Sequence, residues 1–105
     1  MADGPDLYKV GRLAQVDVQV QTLAARARQK GLYISVIAAL ANIEEKLRTA
    51  PADWGDPLFN TKLPGGVVCH GMKSPLNVHF FLHQGDRTVV ILEIRALAGS
   101  PLAED

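Results

Sequence analysis

Asn77-Val78-His79-Phe80-Phe81-Leu82-His83, then Gln84-Gly85-Asp86-Arg87, then Thr88-Val89-Val90-Ile91-Leu92-Glu93-Ile94-Arg95-Ala96-Leu97, spells a β-hairpin: two runs rich in β-branched and aromatic residues around a stretch of turn formers. Gly85-Asp86 suits a two-residue primed turn, whose twist matches that of the strands it joins. With that turn Leu82 pairs with Val89 and Phe80 with Ile91, and His79 falls opposite Leu92. Alternation then gathers Val78, Phe80, Leu82, Val89 and Ile91 on one face, the natural seat for helices. The other face gathers His79, Phe81, His83, Val90, Leu92 and Ile94, and is too apolar to stand in water uncovered. Its expected cover is the C-terminal tail, a second copy of the chain or a partner segment. Upstream, Val67 to Lys73 reads as a third strand, joined through Ser74-Pro75-Leu76, so the C-terminal half is an antiparallel meander.

Before the meander the apolar period changes. Val36, Leu40, Ile43 and Leu47 step by a helical turn, with Ile37 and Ala41 widening the stripe, Ser35 as N-cap and Pro51 as terminator. The preceding run to Lys30 is rich in helix formers and stops at Gly31 with cations in its last turn. Its beginning reads two ways. Val16, Val18 and Val20 alternate with polar residues as a strand would, whereas Val16, Val20, Leu23, Ala24 and Ala27 form a helical stripe; helix is the expectation, against three β-branched residues that resist it. The short link from Gly31 to Ile34 makes the two helices a hairpin. Leu7, Tyr8, Val10 and Leu13 supply a short first strand with Gly11 at an edge or bulge, after a frayed start from Met1 to Pro5. Ala50 to Pro64 reads as a loop tacked down by Trp54 and Phe59, the Arg26, Arg28 and Lys30 cluster as a solvated helix end, and Ala98 to Asp105 as a short tail. The predicted class is α+β: a short N-terminal strand and a two-helix hairpin packed on an antiparallel meander, in one domain over residues 1–105.

Composition narrows the functions open to such a domain. The chain has 105 residues, of which 48% are hydrophobic, which fits one core and argues against disorder. It contains neither an apolar run of about 18 residues nor a charged-then-apolar leader, so a cytoplasmic protein away from membranes is expected. The single cysteine, Cys69, excludes an internal disulfide framework and reads as an inert core residue. Eleven basic side chains balance eleven acidic ones, which weighs against tight non-specific binding to nucleic acid, because such affinity comes from neutralising phosphates.

Several local sequences carry a resemblance. Ile43-Glu44-Glu45-Lys46-Leu47-Arg48-Thr49-Ala50-Pro51-Ala52-Asp53-Trp54-Gly55-Asp56-Pro57-Leu58, the turn Leu63-Pro64-Gly65, the strand Val78-His79-Phe80-Phe81-Leu82-His83 and the aliphatic run Thr88 to Ile94 resemble, in that order, segments of the RelE/ParE toxin superfamily of bacterial toxin–antitoxin systems. The resemblance spans Leu7 to Leu97 and rests on hydrophobic patterns. It implies a toxin-like component of a type II toxin–antitoxin system, held by an antitoxin protein, with weak or degenerate ribosome-dependent mRNA cleavage as its activity; gyrase poisoning belongs to the other branch of the superfamily. The alternative is a non-catalytic interaction module, a homodimer through the apolar second face. Three departures bear on activity: the family's basic second strand is represented by Val67 to Lys73 with Lys73 as its one reliable cation, its third-strand arginine is matched by His79, and Ala96 to Gly99 carries no polar side chain where the family has one.

Cleaving RNA through its 2′-hydroxyl needs a base, an acid for the leaving oxygen and a cation for the charge developing at phosphorus. His70 and His79, if they meet across the first hairpin, are the candidate proton carriers, with Lys73 as the cation; the plain alternative is two half-exposed strand histidines. A concave face gathering Lys62, His70, Lys73, His79 and Arg87 is what cleavage would call for. The turn register puts Arg95 and Glu93 on the face opposite His79, as an ion pair at the rim, unless a bulge near Leu92 intervenes. No cofactor is expected. Nor is a metal: His79 and His83 lie about 13 Å apart along a strand, at ~3.3 Å per residue, too far to share an ion.

Overall fold

The disputed valines settle into a helix. In the computed structural model, which describes residues 7–63 and 65–103 and only the backbone of 59–63, α1 runs Ala14–Gln29. Val16 is 1% exposed and Val18 63%, so these two point to different sides, as a period of 3.6 requires and a period of two forbids. The helix ends in a Schellman motif: Gly31 takes a φ of 71° and the Leu32 N–H donates to the Ala27 carbonyl at 2.7 Å. That tight link starts α2 (Tyr33–Thr49), capped at Leu32, three residues earlier than a cap at Ser35 would. The Val36 N–H already donates to the Leu32 carbonyl, so Ser35 lies inside the helix and caps nothing. The buried stripe of α2 is Val36, Ala39, Ile43 and Leu47; Leu40 is half-buried and Ile37 and Ala41 face solvent.

The segment read as a loop is ordered differently. Pro51 opens a short helix, α3 (Pro51–Trp54), where its missing N–H costs nothing, and Asp56–Leu63 forms an edge strand, β2. Pro57 is tolerated there because an edge strand has one side with no ladder to complete. The remaining strands are β1 (Lys9–Arg12), β3 (Gly66–Lys73), β4 (Leu76–His83) and β5 (Thr88–Ala96). They form a five-stranded sheet in the order β1-β5-β4-β3-β2, antiparallel except for β1, which runs parallel to β5. The expected class, a helical hairpin on a meander with a short first strand, is the one observed, enlarged by β2. The frayed start, the anchoring role given to Phe59, the Pro64 turn and the last two residues of the tail lie outside the described residues.

The helices cover one side of the sheet. Beneath them Leu76, Val78, Phe80, Leu82, Val89 and Ile94 are all 3% exposed or less, and Trp54 stacks on Phe80 at 6.0 Å between ring centroids. Trp54 lies so close over Gly71 that a Cβ there would stand 2.3 Å from its ring. The tail packs on α1 rather than on the far side of the sheet: Leu102 is fully buried, Arg26 donates to its carbonyl, and Lys30 donates to that of Pro101 at 2.7 Å. The cations at the end of α1 therefore bind the tail, and Arg28 lies over the Tyr33 ring, rather than standing free in solvent.

Candidate functional site

The β4–β5 connection is a four-residue loop, Gln84 to Arg87, with the left-handed residue at Arg87 (φ 51°) instead of a primed turn on Gly85-Asp86. The expected pairs survive this change: Leu82 faces Val89 and Phe80 faces Ile91. One step further the register slips. A bulge in β5 sets His79 opposite Glu93, leaving Leu92 as the extra residue, and shifts every later side chain to the other face. Ile94 turns into the core, while Glu93 and Arg95 join His79. The expectation that Arg95 and Glu93 lie opposite His79 is thus overturned, although their mutual ion pair does form.

What holds the bulge comes from α1. Beyond Ile91, β5 has no strand on its β1 side among the described residues, because β1 ends at Arg12 opposite Ile91 and the Leu13 N–H donates to the Ile91 carbonyl at 3.0 Å. Two glutamines one helical turn apart replace the missing ladder. Gln15 donates from Nε2 to the Leu92 carbonyl and Gln19 accepts from the Ile94 N–H, each at 2.9 Å. Buried backbone groups need partners, and these side chains supply them at the irregular position.

The open side of the sheet then carries one polar row. Asp56, His70, His79 and Glu93 occupy directly paired positions on β2, β3, β4 and β5. The two imidazoles stand 5.3 Å apart between ring centroids, His79 Nδ1 is 3.3 Å from Glu93 Oε1, and Arg95 bonds Glu93 through Nε. Glu93 is 24% exposed and Arg95 71%. Burial by itself would push the Glu93 carboxyl up, but its bonds to Arg95 and His79 outweigh this and hold it below the ordinary carboxylate range. Around the row lie Val68, Phe81 and Val90, half-buried, and the exposed Met72.

Of the sequence-derived candidates, the fold brings His70 and His79 together and places Lys73 elsewhere: it pairs with buried Leu76 and so projects toward the helix side, exposed at the strand end. Arg87 sits over the Tyr8 ring at 5.4 Å, at the β1 side of the sheet. The Lys62 side chain lies outside the described residues. The expected basic cluster is therefore replaced, among the described residues, by a row with two carboxylates and Arg95. Cys69 is buried, and its thiol is pushed up first by burial and then by the negative charge of Asp56. Sequence reasoning missed Asp56, Glu93, Arg95, Gln15 and Gln19 as neighbours of the histidines. No motif announces the bulge; the one hint was the pair of glutamines a helical turn apart. A second concavity, about 560 Å³, lies between the helices and β1, with Val16, Val20, Leu40, Ile43 and Ile91 in its wall and Arg12 and Glu44 beside them.

Solved structures share this architecture, two of them from toxin–antitoxin complexes. An archaeal RelE from Pyrococcus horikoshii, solved as a RelE–RelB complex, is 15% identical with a TM-score of 0.61 over 89% of this chain and 98% of that one. A chain of the RelBE2 toxin–antitoxin complex of Mycobacterium tuberculosis is 20% identical with a TM-score of 0.64 over 92% of this chain and 99% of that one. The fold is therefore that of RelE-like toxins, as the sequence patterns implied. No family model and no curated protein matches the sequence.

Proposed function

We propose that this protein is the toxin-like component of a type II toxin–antitoxin pair, with the open sheet face as its working surface. The observation that carries the reading is the pairing of His70 with His79 on the sheet face opposite the helices, in a fold two of whose solved neighbours were captured in RelE–RelB and RelBE2 complexes. Its partner is an antitoxin protein, for which the concavity between the helices and β1, with an aliphatic wall and Arg12, Asp17 and Glu44 around it, offers a seat. Its substrate is mRNA on the ribosome, and its place is the cytoplasm.

In this reading one neutral imidazole takes the 2′-hydroxyl proton as O2′ attacks phosphorus. The P–O5′ bond breaks, and the leaving O5′ takes a proton from the other ring, in its imidazolium form. The products are a 2′,3′-cyclic phosphate and a 5′-hydroxyl, and the proton balance between the rings is restored from solvent. Arg95, on the same face, is better placed than Lys73 to meet the charge at phosphorus. The test is expression of the chain alone in a bacterial host, with a His70→Ala/His79→Ala double variant alongside. Growth arrest that the double variant relieves supports the reading; unimpeded growth with abundant soluble wild-type protein defeats it.

A second reading draws on the carboxylates. Asp56 and Glu93 flank the histidines, so the row carries little net positive charge to attract a phosphate backbone. A non-catalytic module that uses the face to bind a protein, a second copy included, fits that charge. It predicts no RNA cleavage and a concentration-dependent mass in sedimentation.

A further inference from the structure

His79 and His83 share a strand and a face, yet their Nδ1 atoms meet opposite partners. At His83 the Asp86 backbone N–H donates to Nδ1 at 2.9 Å, nearer than the Asp86 carboxylate at 3.8 Å, so Nδ1 offers a lone pair and the neutral ring carries its proton on Nε2. At His79 the group facing Nδ1 is the Glu93 carboxylate at 3.3 Å. The Arg95 guanidinium bonded to that carboxyl holds it below the ordinary carboxylate range, so it is ionised at neutral pH, and an ionised carboxylate has only acceptor sites. A contact between two acceptors would be repulsive, so the hydrogen must sit on Nδ1.

We infer that Glu93 is a positioning residue that locks neutral His79 in the Nδ1–H tautomer and leaves the lone pair on Nε2. The lock is built by the fold in three steps: Gln15 and Gln19 hold the bulge at Leu92, the bulge turns Glu93 to the histidine face, and Arg95 keeps the carboxylate charged and aimed. Without the bulge Glu93 would point into the core side and His79 would face Leu92. The other titratable groups around the ring are His70 from β3 and, one strand further, Asp56. The use of this lone pair rests on the cleavage reading above: with its proton fixed on Nδ1 and its lone pair on Nε2, His79 is the base of the pair and His70 the acid.

The experiment is a long-range proton–nitrogen correlation spectrum of protein labelled with 15N-histidine, recorded near pH 8, about 1.5 units above an ordinary histidine pKa. The expected result is His79 protonated on Nδ1 and His83 on Nε2, each an internal control for the other. In Glu93→Gln, Arg95 claims the amide oxygen, the amide NH2 turns to His79, and the tautomer inverts to Nε2–H. A wild-type His79 that carries its proton on Nε2 or averages between the two nitrogens overturns the inference, whether or not the variant folds. A folded Glu93→Gln that keeps Nδ1–H overturns it as well. Cleavage of ribosome-bound mRNA is read in parallel and should fall by about 10²-fold or more in the variant. A locked His79 in a protein that cleaves nothing defeats the cleavage reading and leaves the tautomer assignment standing; cleavage by a protein whose His79 is not locked does the reverse.

Discussion

Phe80 and Phe81 are neighbours on β4, yet they belong to two different materials. Phe80 is fully buried beneath the helices and stacked on Trp54, whereas Phe81 lies half-buried on the open face, beside the polar row and over Gly66. On the helix side Leu76, Val78, Phe80, Leu82, Val89 and Ile94 are all buried. The open side mixes Val68, Phe81 and Val90 with four aligned titratable groups, and the tail that was one candidate to cover it lies on α1 instead. The two sides differ because close packing fixes the first, while the second answers only to the strand pairing that sets which residues share a row.

That contrast is open to measurement. The largest effect is expected from Phe80→Ala, a loss of about 3–5 kcal/mol for a large core ring removed, against about 1–2 kcal/mol for Phe81→Ala next door. Paired denaturant titrations check it, and equal losses would dissolve the distinction between the faces. Gly71→Ala should come next, at about 1–3 kcal/mol, because its Cβ would stand 2.3 Å from the Trp54 ring with the core closed behind it. Gln19→Ala removes the acceptor of the Ile94 N–H and should cost about 1–2 kcal/mol, with faster amide exchange localised at Ile94 as the sign that the bulge has loosened. Uniform exchange across β5 would argue that the glutamines do not hold it.

The smaller effects belong to the open face. The Glu93 carboxyl is lower in the folded state than in the unfolded chain, so the folded state binds fewer protons as pH falls through the carboxylate range. Its contribution is present above the ordinary glutamate value and is lost as pH falls through the lowered one. The stability difference between wild type and Glu93→Gln should therefore be larger at pH 7 than at about pH 3. A difference that grows on acidification would contradict the ion pair with Arg95. Lys73→Ala should be nearly silent, within about 0.5 kcal/mol and without effect on any activity of the histidine face, since Lys73 projects to the other side.

Much of this was readable before folding. Helix α2 shows in the spacing of Val36, Ile43 and Leu47, the end of α1 in Gly31, and β4 in its strict alternation, because each reports a local period that packing then confirms. Edge strand β2 was missed because Pro57 and its neighbours look like loop material, and its pairing with β3 is a long-range event. His70 and His79 were candidates because they lie on neighbouring strands of one hairpin, and the register that pairs them, with Lys73 opposite Leu76, came from the fold. Asp56, Glu93 and Arg95 were not placed with them, since their arrival depends on β2 joining the sheet and on one extra residue in β5.

The sequence by itself determined the α+β class, the face of β4 that packs under the helices and the placing of the two histidines on neighbouring strands of one hairpin, because periods of two and 3.6 and a short hairpin are properties of neighbouring residues. Only the tertiary structure decided what surrounds those histidines. Parity along β5 is set where the strand loses its neighbour β1 and takes hydrogen bonds from Gln15 and Gln19 instead, and a single bulged residue there exchanges Ile94 for Glu93 on the open face.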